Sequence, residues 1–367
     1  MKFYLIAGED SGDLHTRNLV RALGPEFRFR GVGGDKMQDE GAELIAHIRD
    51  INFMGFWEVI KNLGTIRKLF RLVKEDIRHW KPDAVVLVDY PGFNMRMMPF
   101  LKKLGIPIYY YISPQVWAWK KGRVKKIKQY ADRMLVILPF EQEFYQKEGI
   151  QVDFVGHPLL DEVPLQGPKS TPDRNPVIAL LPGSRKQEIS RMLPIMLEAT
   201  SSFPSAKFVV AGAPSQPVSF YQPMIQAYPN VEIRMNQTYD LLESADYAMV
   251  TSGTATLETA LFRVPQVVCY RGSWLSYHIG KRLVQVDYIS LVNLILGKEA
   301  VKELIQGDFN VNRLTAELKA LMNPKRYKRV QDDYEKLYQK LGETGASARA
   351  AHVLIEHFAK HSVSSLP

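Results

Sequence analysis

Continuous apolar runs of strand length alternate with amphipathic stretches along nearly the whole chain, and no other feature constrains the fold as tightly. In the first half the runs are "KFYLIAG" (2–8), "DAVVLVDY" (83–90), "IPIYYYIS" (106–113), "RMLVILPF" (133–140) and "VDFVG" (152–156). A strand apolar at every position is covered on both faces, as in a parallel sheet flanked by helices. Helical patterns such as "DLHTRNLVRALG", closed by Gly24, fall between the runs. Residues 157–176, "HPLLDEVPLQGPKSTPDRNP", hold five prolines and no periodicity. That composition predicts an interdomain linker, with a first domain over 1–160, the linker at 161–176 and a second domain over 177–345. The second series is "PVIALLPG" (176–183), "AKFVVAG" (206–212), "VEIRM" (231–235), "DYAMVTSG" (246–253) and "VPQVVCY" (264–270), and beyond residue 310 the chain reads as helical. The economical fold class is α/β, with two doubly wound domains in tandem. Ligands in such sheets bind beyond the carboxyl ends of the strands, so the expected site is a cleft between the domains.

Bulk chemistry narrows the partners. A net charge of +9, from 48 basic and 39 acidic residues, favours anionic partners: nucleic acid, acidic headgroups or phosphorylated substrates. The single cysteine, Cys269, excludes an internal disulfide and any multi-cysteine metal site. No run approaches the roughly 20 apolar residues of a spanning helix, and the N-terminus lacks a signal-peptide pattern. The expectation is a cytoplasmic protein with at most a surface association with membrane.

Two loops of the second series are suited to anions. "ALLPGSRKQEI" runs from strand through Gly183 and Ser184 into a helix whose first N–H groups lack intrahelical partners, and Arg185 adds a charged fork. "MVTSGTATLE" repeats the plan with Ser252, Gly253 and Thr254, and its helix carries Glu258, an acceptor for ribose hydroxyls. Two such turns fit a diphosphate. Both read equally well as ordinary turns with helix-capping hydroxyls. Neither is a P-loop, and "AGEDSGD" lacks GxGxxG, so neither an NTPase nor a nicotinamide cofactor is expected.

"VVLVDYPGFN" places Asp89 at a strand end with Pro91 and Gly92 turning the chain. There it is a candidate general base, with Asn94 orienting the carboxylate or a substrate hydroxyl. A turn-closing aspartate is the plain alternative. His157 in "VGHP" competes as base, although its place at the linker favours a structural role. The stretch "YYYISPQVWAWKKGRVKKIK" (109–128) sets aromatic rings beside clustered cations. Ser113, Gln115 and Trp117 are expected to line the cleft, with Lys120, Lys121 and Arg123 facing phosphate on a substrate or on lipid; plain domain packing is the alternative for the two tryptophans. Residues 51–80 read as a basic amphipathic helix packed on a sheet. Its lead-in, with Phe53, Met54, Phe56 and Trp57, also suits the boundary of an anionic bilayer.

In order along the chain, "AGEDSGD", "GVGGDKM", "MGFWEV", "DYPGFN", "YYISPQVWAWKKGR", "LPFE", "FVGHPLLD", "LLPGSRKQEI", "TSGTATLE" and "DYISLVNLILG" resemble the lipid A disaccharide synthase family, from Ala7 to about Gly297. The resemblance implies a GT-B glycosyltransferase of two facing Rossmann-like domains, with a C-terminal helix (346–367) packing back on the first. It implies β(1→6) transfer from UDP-2,3-diacylglucosamine to 2,3-diacylglucosamine 1-phosphate with inversion, release of UDP, and no metal or cofactor. The family's essential aspartate matches Asp89 and the arginine of its GSR turn matches Arg185. Its nucleotide loops match Gly183, Ser184, Ser252, Gly253, Thr254, Glu258 and Asn293, and its first turn brings Ser11 to the acceptor side. The partners implied are the two lipid substrates and the anionic inner-membrane surface, with a homodimer compatible and nucleic acid not expected. Two positions depart from the family pattern: Gly92 replaces an acid in "DxPDFN", and Val292 replaces proline in "SLPNL".

Overall fold

The computed structural model describes residues 1–51, 63–117, 122–164, 166–272 and 286–364. The chain forms two compact units, Met1–Asp161 with Glu343–Pro367, and Glu162–Gly342.

The first unit is built on seven strands: β1 (Lys2–Ala7), β2 (Arg28–Gly33), β3 (Glu43–His47), β4 (Ala84–Val88), β5 (Ile108–Tyr111), β6 (Arg133–Val136) and β7 (Asp153–Phe154). Their order is β3-β2-β1-β4-β5-β6-β7, and every pairing is parallel. All five residues of β4 and all four of β5 are buried, which is why those runs are apolar throughout. The order reverses direction between β1 and β4, the switch point at which crevices open in doubly wound sheets.

The helix Leu63–Trp80 lies on this sheet. Leu69, Val73 and Ile77 are buried in the core, with Phe70 and Trp80 partly buried against it, so the stripe serves packing. Arg67, Lys68 and Arg71 stay exposed on the other face. Phe53, Met54, Phe56 and Trp57, the expected lipid contacts, lie outside the described residues, as do Lys120 and Lys121. No helix among the described residues is long and apolar enough to cross a membrane.

The helix Ala346–Ser364 belongs to this unit as well. Asp161 accepts hydrogen bonds from the backbone N–H groups of Gly345, Ala346 and Ser347, satisfying orphan donors at the helix start. Farther along, Tyr109 Oη meets His357 Nδ1 at 3.1 Å.

The second unit has six parallel strands, β8 (Val177–Leu181), β9 (Lys207–Gly212), β10 (Val231–Met235), β11 (Tyr247–Thr251), β12 (Gln266–Tyr270) and β13 (Lys302–Ile305). Their order, β10-β9-β8-β11-β12-β13, puts a switch point between β8 and β11. The proline-rich connector is anchored to this unit, because Lys169 Nζ donates to the carbonyls of Leu242, Glu243 and Ala245. Those carbonyls close the short helix Thr238–Ser244.

Candidate active site

In each unit the chemistry-bearing loops leave the two strands that flank the switch point. In the first unit, Asp89 follows β4 directly and Glu9 lies just past β1. Asp89 and Tyr90 both adopt left-handed backbone, each with φ 43°, and Ile112 at the end of neighbouring β5 does so with φ 63°. Such conformations are costly for residues other than glycine, and unusually so for a β-branched one. The corner is held by hydrogen bonds: Tyr110 Oη donates to the Asp89 carbonyl at 2.7 Å, and Asn94 Nδ2 donates to the same oxygen at 2.8 Å. Asn94 Nδ2 also lies 3.3 Å from the carbonyls of Ile6 and Val88. Fully buried, Asn94 therefore fixes the backbone of the corner, and it does not reach a substrate or the Asp89 carboxylate as expected from sequence. Gly8 is required opposite: a Cβ there would collide with the Tyr90 ring.

The Asp89 carboxyl is pushed up to about 7, first by burial and then by the negative fields of Glu9 and Glu141. Glu141, 1% exposed, is likewise raised to about 7 by burial, despite accepting from the N–H groups of Ile137 and Leu138 and from Trp117 Nε1 at 3.2 Å. Sequence reasoning assigned Glu141 no role. Its signal was an acid three residues into "LPFE", where a capping side chain reaches back over the helix start. Trp117 is half-buried, edge-on to Phe140 at 4.8 Å.

Gln115 is exposed, and Ser11 and Arg123 are half-buried. Ser113 is not a lining residue. It is 6% exposed, and its hydroxyl is engaged by Tyr145 Oη at 2.6 Å and the Pro114 carbonyl. His157 is the structural histidine that its sequence position favours: burial, then His15, depresses it to about 3, and its Nδ1 accepts from Leu159 N. It is neutral at physiological pH.

In the second unit, Gly183, Ser184 and Arg185 follow β8 and lead into the helix Lys186–Thr200. Gly183 has φ 107°, a conformation that favours glycine. The loop is closed by Glu188, which accepts from Ser184 N at 3.3 Å and from Arg185 Nη1 at 2.9 Å. Arg185 remains exposed. After β11, Ser252 Oγ is committed to the Ile289 carbonyl at 2.9 Å, while Gly253 and Thr254 are exposed where the helix Thr254–Leu261 begins. Glu258 accepts from Tyr239 Oη at 2.9 Å, a partner that sequence reasoning did not find.

A family model described as lipid-A-disaccharide synthetase matches residues 3–356. The chain belongs to that family. The lipid-A-disaccharide synthase of Syntrophus aciditrophicus is 43% identical over 364 residues, covering 95% of each chain. Among solved structures, the kitacinnamycin glycosyltransferase aligns with a TM-score of 0.66 at 16% identity, over 97% of this chain and 98% of that one. The UDP-GlcNAc 2-epimerase of Neisseria meningitidis aligns at 0.67 and 13%, over 97% and 100%. At such identities the solved structures speak for the fold alone, which is GT-B. As a member of the lipid-A-disaccharide synthetase family, the chain is a glycosyltransferase that forms the lipid A disaccharide.

Within this synthetase, Asn293 is not positioned to contact UDP. It is fully buried. Its Oδ1 accepts from Ala300 N and Val301 N, and its Nδ2 donates to the Val301 carbonyl and Glu303 Oε1. No capacity is left for a ligand; the amide instead fastens the helix Leu291–Leu296 to β13. Asn293→Ala is expected to lower unfolding stability by about 3 kcal/mol, since several buried groups lose partners together. Denaturant titration reads this, while UDP affinity of the folded variant stays unchanged. The Val292 departure has a simple account. It falls in the first turn of that helix, where proline's missing N–H is one of the orphans anyway, so either residue keeps the turn.

Proposed function

We propose that the second unit binds the UDP of UDP-2,3-diacylglucosamine through Gly183, Ser184, Arg185, Gly253 and Thr254, and that Asp89 of the first unit is the base for the acceptor. The 6-hydroxyl of 2,3-diacylglucosamine 1-phosphate attacks C1 of the donor from the face opposite UDP. The new C1–O6 bond forms as the C1–O bond to the β-phosphate breaks, inverting C1. The hydroxyl proton passes to Asp89, and the electron pair leaves on UDP, where Arg185 and loop N–H groups meet the growing charge. The observation that carries this reading is Asp89 itself: a desolvated carboxylate on a strained corner at a switch point, with affinity for a proton matched to neutral pH. Incubation with both lipid substrates should yield UDP and the disaccharide 1-phosphate; absence of both products refutes the reading.

A pH profile separates a base from an acid. Asp89 must be unprotonated to receive the proton, so kcat/KM rises with pH and levels above an apparent pKa of about 7. A rate that falls through that range would assign the opposite role. Both substrates carry acyl chains, so the enzyme is read as peripheral to the inner membrane. The exposed Arg67, Lys68 and Arg71 support attraction to anionic headgroups.

A further inference from the structure

Directly past the Asp89 corner, the first unit contains a cavity of about 500 Å³, within the range of small-molecule sites. One wall is the start of the helix Pro91–Lys103: Pro91, Gly92, Met95 and Arg96. Gly92, Met95 and Arg96 share a face through three- and four-residue spacing. The other wall is the start of the helix Gly122–Tyr130, where Gly122, Arg123 and Lys126 share a face in the same way. Among the described residues the lining has three cations and no carboxylate. Arg96 and Lys126 are exposed, and neither forms an ion pair with another described residue. Like charges converging on one concavity repel until an anion enters. The mouth is open beside Gly92, where a Cβ would meet nothing within 4 Å.

Resting on the proposed reaction, we propose that this cavity is the subsite for the acceptor's 1-phosphate, held by Arg96, Arg123 and Lys126. The acceptor's reacting 6-hydroxyl and its 1-phosphate flank the ring oxygen of one pyranose, carried by C5 through C6 and by C1, so a single bound sugar brings both groups close together. A base at residue 89 and cations on the walls that begin at residue 91 match that layout. Arginine forks and a lysine charge suit a phosphomonoester dianion, and Pro91 and Met95 supply apolar surface to the ring.

The test uses Arg96→Ala, Lys126→Ala and the double variant, all at exposed positions. With the phosphorylated acceptor, KM rises about 10-fold for each lost cation, as expected for charge-assisted contacts. KM for the UDP-sugar does not move, and the preference for the phosphorylated over the dephosphorylated acceptor collapses in the double variant. Binding of glucosamine 1-phosphate, followed by ligand-observed NMR, is lost in parallel and needs no turnover. If the wild type binds that probe through these residues but forms no disaccharide, the proposed reaction fails while the subsite stands. Unchanged acceptor KM and unchanged probe binding overturn the subsite. So does a double variant that loses only its binding to phosphatidylglycerol vesicles, which would assign the cations to a lipid headgroup.

Discussion

Asp89→Asn lowers kcat by about 10²–10⁴-fold while UDP affinity stays within error of the wild type. The amide keeps the shape of the carboxyl but cannot take up the proton of the attacking hydroxyl, and general-base contributions fall in that range. The fold survives, because Tyr110 and Asn94 hold the corner through the residue's backbone carbonyl, and an asparagine Oδ1 accepts from Tyr90 N–H as the carboxylate does. The substitution should also stabilise the protein, in a pH-dependent way. A carboxyl whose folded-state pKa is about 7 binds its proton more tightly folded than unfolded, where it ionises near 4. Wild-type stability therefore declines as pH rises from about 4 to 7, and the asparagine variant escapes that decline. Thermal melts should show similar Tm values at pH 4, a gap widening to pH 7, and a constant gap above. Full turnover in this variant would remove Asp89 from the chemistry.

Arg185→Ala weakens UDP binding by roughly 10–150-fold, the range for losing a charge-assisted contact. It lowers kcat further, by about 10²-fold, because the same guanidinium meets charge that grows on the departing diphosphate. The fold is untouched: Arg185 is exposed, and its ion pair with Glu188 lies at the surface, where it is worth little to stability. Arg185→Lys recovers part of the affinity but not the rate, since a point charge cannot form the two parallel bonds of the fork. Calorimetry with UDP and steady-state kinetics separate the two effects. Normal UDP affinity in the alanine variant would end the assignment.

The buried centres of both sheets were readable because burial on two faces writes continuous apolar runs. β2, β3 and β13 were not readable. In β2, Arg30 breaks the run, yet it is accommodated by a two-pronged pair with Asp76 at 2.9 Å from the helix Leu63–Trp80. β3 and β13 are edge strands, which carry polar residues. The strand-end position of Asp89 was legible from "VVLVDYPG", because an acid after an apolar run followed by Pro-Gly has one place to be. Asn94, Ser113 and Asn293 were misjudged for a shared reason. A polar side chain inside a motif looks the same in sequence whether it faces a ligand or saturates buried backbone, and only the hydrogen-bond partners decide. Glu141 went unassigned because its role depends on Trp117, more than twenty residues away.

The Asp161 cap has a consequence for biosynthesis. The chain departs the first unit at the same carboxylate on which it hangs its final helix. Glu162–Gly342 is therefore complete on the ribosome before the earlier-made unit receives its last element. Until then Tyr109 and Asp161 wait without their helical partners, so the nascent first unit carries an unfinished face that only late emergence can close.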